Sequence, residues 1–150
     1  MSKKKYNLNT IYISERLQEN LKPISQSAFT AVTAPMGYGK TTAISWYLDK
    51  QSKNGNSGVI RISIYSDNLS VFWQSVQKAF AFAGLDFLDN YVCPSDAASA
   101  GRFADELCYA LSGQTSYFIF IDDFHLLGEP HIADFFCMLA NRLPENIHLI

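Results

Sequence analysis

The chain has 150 residues, of which 48% are hydrophobic and 14% aromatic, with a formal net charge of −2. This length and composition predict one folded domain with a sizeable core, and they exclude a disordered tail and the basic surface of a DNA-binding module. Three cysteines without metal-ligand spacing, no signal sequence and no apolar run of about 20 residues predict a cytoplasmic protein without membrane contact.

Helix-like and strand-like segments alternate along the chain, which predicts an α/β fold with a mostly parallel sheet. The first element is a short helix from Ser14, its N-cap, to about Lys22. Residues 27–34 are small or β-branched and are predicted to form a buried strand. We therefore divide the chain into a lead-in helix over residues 1–26 and a core over residues 27–150.

A glycine-rich turn, Ala34-Pro-Met-Gly-Tyr-Gly-Lys-Thr-Thr42, follows this strand and opens the next helix. Strand, glycine-rich turn and helix are the context of a phosphate-binding P-loop. Two glycines at positive φ would curl the backbone around a phosphate, and the helix N-terminus would supply free N–H groups. The predicted nucleotide-binding residues here are Ala34, Pro35, Met36, Gly37, Tyr38, Gly39, Lys40, Thr41 and Thr42.

Two side chains of this turn have specific predicted roles. Lys40 would reach the β- and γ-phosphates, and the Thr41 hydroxyl would bind Mg²⁺. The usual pattern, G-x-x-x-x-G-K-[ST], begins with glycine, whereas this chain has Ala34. A strand–helix turn with an incidental lysine is the alternative interpretation, and the surrounding elements disfavour it.

The alternation of elements continues to the end of the chain. The predicted elements are a strand at 59–64, a helix capped by Ser66 or Asp67, a helix started by Pro94-Ser-Asp96, a strand at 117–121, a helix at Pro130–Arg142 and a strand at 147–150. The chain ends within this last strand. We therefore expect a three-layer P-loop NTPase fold that is truncated after the start of its fourth strand.

Two carboxylates, Asp122 and Asp123, directly follow the apolar run 117–121, as in a Walker B motif. Because the carboxyl ends of parallel strands share one edge of a sheet, Asp122 would lie beside the P-loop and bind Mg²⁺. Asp123 would orient or deprotonate an attacking water, so Asp123 and Lys40 are the predicted catalytic residues. A strand ending in a solvated Asp-Asp turn is the alternative, which the P-loop makes weaker.

One histidine and three arginines are further candidate functional residues, but their sequence context is less specific than that of the two motifs. His125 is either a sensor of the γ-phosphate or a structural hydrogen-bonding group, and a lone histidine favours the second. Arg61, Arg102 and Arg142 are interpreted as surface ion-pair residues.

Three functions fit the two motifs. The preferred one is a Mg²⁺–ATP/ADP-binding switch with weak or absent hydrolysis in this chain. The second is a catalytic P-loop ATPase or a small-molecule kinase, and the absence of an arginine-rich lid disfavours a kinase. The third is a vestigial scaffold, which the intact set of Lys40, Thr41, Asp122 and Asp123 disfavours.

Several segments together resemble the STAND-class ATPase module of large LuxR-type transcriptional regulators of the maltose-regulon activator type. The segments are 33–42, 67–73, 121–127 and 142–149. In that family the loop is similar to A-P-A-G-Y-G-K-T-T, so Ala34 is typical there. The resemblance also implies that Arg16 lies near the base or ribose of the nucleotide.

The resemblance implies a molecular switch that holds ADP at rest. ATP and an inducer would drive self-association, slow hydrolysis would reset the state, and DNA would be bound only by a C-terminal domain outside this chain. It also implies a strand order in which the fourth strand separates the strand before the P-loop from the Walker B strand. Residues 27–34 would then have an open edge, which invites self-association.

Overall fold

The computed structural model describes residues 13–35, 37–55, 57–126, 128 and 130–150. Within these ranges, the structure contains the predicted helices and three of the four predicted strands. The elements are α1 (Glu15–Leu21), α2 (Lys40–Asn54), β1 (Ser57–Ser63), α3 (Leu69–Phe82), α4 (Ala97–Ala110), β2 (Ser116–Asp122), α5 (Pro130–Arg142) and β3 (Ile147–Leu149). Short 3-10 helices lie at Lys22–Ser25 and Phe124–Leu126.

The three strands form one parallel sheet in the order β1-β2-β3. The register pairs Ser57 with Ser116 and Ile119 with Leu149. On the far side of β3, Phe29 forms an isolated parallel bridge with Leu149. The strand β3 therefore lies between β2 and the segment that leads into the P-loop, as the family resemblance implies.

Apolar side chains on both faces of the sheet explain the three layers. Along β2, Ile119 belongs to one core cluster, whereas Phe118 and Phe120 belong to another, because successive side chains of a strand point to opposite faces. Helices α3, α4 and α5 supply the first cluster, and α1 and α2 supply the second. The predicted α/β fold with helices on both faces of a parallel sheet is confirmed. The division at residue 26 stays a prediction.

The residues at several helix ends form the capping hydrogen bonds and turns that are typical of helix termini. The side chain of Ser14 caps α1 by accepting a hydrogen bond from the Leu17 amide at 3.3 Å. Asp96 and Ser99 form a reciprocal capping box at the start of α4. Gly113, just after α4, has φ 132°, a conformation that other residues rarely adopt. These residues set where the helices begin and end.

The start of α3 differs from the prediction. Neither Ser66 nor Asp67 is its N-cap; Asn68 is, because its Oδ1 accepts hydrogen bonds from the amides of Ser70 and Val71 at 2.9 and 3.2 Å. Ser66 lies two residues before this cap, and its hydroxyl oxygen accepts a hydrogen bond from the Asn68 amide at 3.1 Å. The prediction therefore placed the cap one or two residues too early.

The prediction of a strand over residues 27–34 is wrong for most of that segment. Only Phe29 has a strand-type bridge, and residues 30–35 have no regular secondary structure. The amide of Thr30 donates to the Leu149 carbonyl at 2.8 Å, and the Leu149 amide donates to the Ala28 carbonyl at 2.9 Å. Beyond Thr30 no ladder partner lies beside the segment among the described residues, so the strand does not continue.

None of the helices in the described part of the chain is both long and apolar enough to cross a lipid bilayer.

Candidate functional site

Two glycines of the P-loop turn have the positive φ values that the sequence predicts. Gly37 and Gly39 have φ values of 84° and 73°, in the left-handed region that glycine adopts without strain. Gly39 is the N-cap of α2, and Lys40 is the first residue of that helix. The first amide groups of α2, which have no partner within the helix, therefore lie next to the Lys40 side chain.

The structure brings the two motifs into direct contact. The Thr41 hydroxyl donates to the two carboxylate oxygens of Asp122, at 3.1 and 3.0 Å. Thr41 lies in the first turn of α2, and Asp122 is the last residue of β2. The parallel sheet brings the carboxyl end of β2 to the start of α2, as expected for strands that share one edge.

The chain turns sharply after Asp122. Asp123 has φ 59°, the one positive value among the described residues other than glycine. Its amide donates to Asp122 Oδ1 at 3.0 Å, and its carbonyl accepts from the Leu126 amide at 3.0 Å. Aspartate tolerates the left-handed region better than most residues because its short side chain hydrogen-bonds locally. This turn holds the second carboxylate at the end of the sheet.

A cavity of about 510 Å³ lies at this edge. Its polar side chains include Lys40, Asp122, Asp123 and His125. One wall is the segment before the P-loop, from Phe29 to Ala34, and the opposite wall comes from the end of β2 and from α5. A lysine and two carboxylates around one cavity can bind a phosphate together with a divalent cation.

The other predicted residues of the P-loop turn differ in whether they line the cavity. Ala34 is half-buried and lines the cavity, whereas Pro35, Tyr38 and Thr42 are exposed and do not line it. The Tyr38 side chain is 78% exposed. Met36 lies outside the described residues.

Arg16, the predicted neighbour of the base or ribose, is exposed on α1 and does not line the cavity. Two other arginines form ion pairs on the surface: Arg61 with Asp49 at 2.8 Å, and Arg142 with Asp105 at 3.3 Å. These two agree with the interpretation of the arginines as surface ion-pair residues.

Groups with displaced pKa values lie away from the cavity. Burial raises the pKa of the Cys93 and Cys108 thiols, and hydrogen bonds from Ser99 lower the pKa of Asp96. Asp96 caps α4, and none of the three lines the cavity. These shifts therefore belong to packing and helix capping.

One wall of the cavity was missed from the sequence. Ala133, Phe136, Cys137 and Ala140 line it from α5. They are spaced three, four and seven residues from the first, which places them on one helical face. The helical periodicity of the α5 sequence could therefore have indicated this wall. This α5 wall is apolar or weakly polar, whereas the charged side chains of the cavity, Lys40, Asp122 and Asp123, come from other elements.

Comparison with known protein families shows the class of domain to which the chain belongs. Residues 22–150 match the family described as "AAA domain", which covers most of the chain. The chain therefore belongs to the AAA domain family of ATPase domains.

Among curated proteins, the chain is similar to the HTH-type transcriptional regulator MalT of two Klebsiella pneumoniae strains, ATCC 700721 / MGH 78578 and 342. Each is 26% identical over 153 aligned residues, which cover 92% of this chain. The chain spans only 15% of the length of these relatives. The expected resemblance to maltose-regulon activators is confirmed.

Proposed function

We propose that this chain is a nucleotide-binding switch domain that takes ATP or ADP together with Mg²⁺. The observation that carries the proposal is the contact of Thr41 with Asp122, because it joins the P-loop to the acidic end of β2. Lys40 lines the same cavity as Asp122 and supplies the positive charge that phosphates need.

The residues present fit a Mg²⁺ ion. Mg²⁺ prefers oxygen ligands and is usually held by one or two protein groups plus phosphate oxygens and water. Thr41 and Asp122 offer such oxygens, and their separation of 3.0–3.1 Å shows that both can reach one small region. When bound, Mg²⁺ would neutralise charge on the β- and γ-phosphates.

Individual residues of the site have distinct proposed roles. Lys40 contacts the β- and γ-phosphates, and the first amides of α2 donate to phosphate oxygens. Asp123 orients a water or accepts its proton, as a carboxylate adjoining the metal-binding residue can do. Arg16 stays a proposed neighbour of the base, on the strength of the family resemblance alone.

The wider role rests on the relatives. Because MalT is named as an HTH-type transcriptional regulator, we propose that the domain serves a cytoplasmic regulator of the STAND and LuxR type. In that proposal nucleotide exchange governs self-association, and DNA is bound by a separate C-terminal domain. The three free cysteines are consistent with a reducing compartment.

Calorimetric titration with Mg²⁺–ATP and Mg²⁺–ADP tests the proposal. Lys40→Ala removes a charge-assisted contact worth about 1.5–3 kcal/mol, so the affinity should fall about 10- to 100-fold. Lys53→Ala is a matched control, because Lys53 is an exposed lysine near the end of the same helix. The control should bind as the wild type does.

Two results would contradict the proposal. If the folded wild type binds neither nucleotide, the site is a scaffold. If it turns over ATP at more than about 1 s⁻¹, the range of dedicated catalysts, the domain is a catalytic P-loop enzyme and not a switch.

A further inference from the structure

One stripe of polar side chains on α2 joins that helix to two strands of the sheet. Thr41, Ser45 and Asp49 are four residues apart, which places them on one face of the helix. Thr41 bonds to Asp122 at the end of β2. Ser45 and Asp49, one and two turns further along, both bond to Arg61 of β1.

Arg61 binds two turns of α2 with one guanidinium group. One terminal nitrogen donates to the Ser45 hydroxyl at 2.9 Å, and the other donates to Asp49 Oδ1 at 2.8 Å. Because a guanidinium is planar and holds its donors in a fixed fork, two simultaneous bonds restrict both the position and the rotation of the helix. A pair on an exposed surface contributes little to the free energy of unfolding. What this pair can supply is a defined placement of α2.

The sheet register puts Arg61 and Asp122 on the same face of the sheet. Arg61 of β1 lies opposite Phe120 of β2, and Ser63 lies opposite Asp122. Side chains two residues apart on a strand share a face, and Phe120 packs in the core cluster that α2 supplies. The polar contacts with α2 therefore come from one sheet face, at two heights along the helix.

The helix α2 carries the phosphate-binding half of the proposed site, because Lys40 and Thr41 lie in its first turn. In the described part of the chain, the segment before the P-loop is paired with the sheet only near Phe29. The position of the helix start therefore depends on contacts along α2 itself. Its apolar face, which includes Ile44 and Leu48, packs without directional preference, whereas hydrogen bonds require a defined geometry.

We propose that Arg61 is a positioning residue of the nucleotide site, and that it fixes α2 so that Lys40 and Thr41 lie opposite Asp122. This inference rests on the proposed function of the site. Arg61 acts through the helix and does not itself touch the nucleotide. ATP and ADP share the phosphates nearest the ribose, so the binding of both should depend on Arg61 equally.

The test compares Arg61→Ala and Arg61→Lys with Arg142→Ala by calorimetric titration of the whole chain with Mg²⁺–ATP and Mg²⁺–ADP. Arg142 is a matched control, because it forms a similar surface ion pair with Asp105 and does not line the cavity. Arg61→Ala should lose about three- to fivefold in affinity for both nucleotides. Lysine keeps the charge and one bond, so Arg61→Lys should restore part of the loss. Arg142→Ala should bind as the wild type does.

Amide exchange locates the effect on the helix. The Ala43 amide donates to the Gly39 carbonyl at 2.9 Å and so reports on the first turn of α2. Its exchange should quicken in Arg61→Ala and stay unchanged in Arg142→Ala, whereas the urea midpoints of the two variants should be similar.

The outcomes separate this inference from the proposed function. Wild-type affinity in Arg61→Ala, or equal losses in Arg61→Ala and Arg142→Ala, overturns the positioning role while the nucleotide site stands. A loss for ATP alone also overturns it, because that result requires direct contact with the terminal phosphate. If the folded wild type binds neither nucleotide, the proposed function fails and the inference fails with it. Equal losses for both nucleotides with partial rescue by lysine support the inference.

Discussion

The two segments that carry the site are held in different ways. Strand β2, which ends in Asp122, pairs with β1 on one side and β3 on the other, and it is buried on both faces. The segment before the P-loop, residues 27–34, is tied to the sheet only near Phe29 and leaves Val32 36% exposed.

The difference separates a fixed half of the site from a loosely held half. The acidic half is part of the core, so its position is set by the folding of the whole domain. The P-loop half is set by its glycines, by α2 and by a few hydrogen bonds to β3. We expect bound nucleotide to order the second half more than the first, since local stability follows packing and hydrogen bonding.

The largest expected effect is on the packing of β2. Phe118 is 2% exposed and stacks on His148, so Phe118→Ala should lower the free energy of unfolding by about 3–5 kcal/mol. Val32→Ala in the segment before the P-loop should change the free energy of unfolding by less than about 0.5 kcal/mol. Urea denaturation measures both, and equal losses would remove the distinction between the two segments.

A second variant probes what ties the segment before the P-loop to the sheet. The Ser27 carbonyl only accepts, so Nδ1 of His148 in β3 is the donor in the 2.8 Å bond between this segment and β3. His148→Phe keeps an aromatic ring against Phe118 but leaves that carbonyl without its donor, at a cost of about 1–3 kcal/mol. Amide exchange should quicken at Thr30 more than at Ile60 of β1. Uniform acceleration would mean that the bond does not specifically hold the segment before the P-loop.

The smallest of these effects concerns the P-loop backbone. Gly39→Ala should destabilise the fold by about 1–2 kcal/mol, because φ of 73° is unfavourable for alanine. A Cβ at Gly39 meets nothing within 4 Å, so the cost is conformational. Gly55→Ala is a matched control, since a Cβ there meets only the Ser57 hydroxyl, at 4.0 Å, and its φ of −162° is extended backbone. Similar stability for the two variants would show that the loop relaxes freely.

Much of the fold and of the site could be predicted from the sequence. The apolar runs predicted β1, β2 and β3 to within about two residues, and Ser14 and Pro130 predicted the starts of α1 and α5 closely, because these signals are local. The positive φ of Gly37 and Gly39 and the meeting of Thr41 with Asp122 followed from motifs with a defined mechanism.

The remaining features depend on contacts that exist only in the folded chain. Residues 31–34 have a strand-like composition, but their pairing depends on what lies beside them in space. The left-handed Asp123 depends on hydrogen bonds with Asp122 and Leu126 that exist only in the folded turn. The α5 wall of the cavity needed the helix to be oriented against β2, which its period alone does not give.

The central claim is that the P-loop and the end of β2 form one Mg²⁺–nucleotide site. A double-mutant cycle on Thr41→Ala and Asp122→Asn, with ATP affinity measured in Mg²⁺ and in EDTA, tests it most directly. Each single variant should lose most of the Mg²⁺-dependent gain in affinity, and the double variant should lose no more than the worse single one, because the two residues act on one ion. Additive losses, or a Mg²⁺ dependence that survives in Asp122→Asn, would contradict the account.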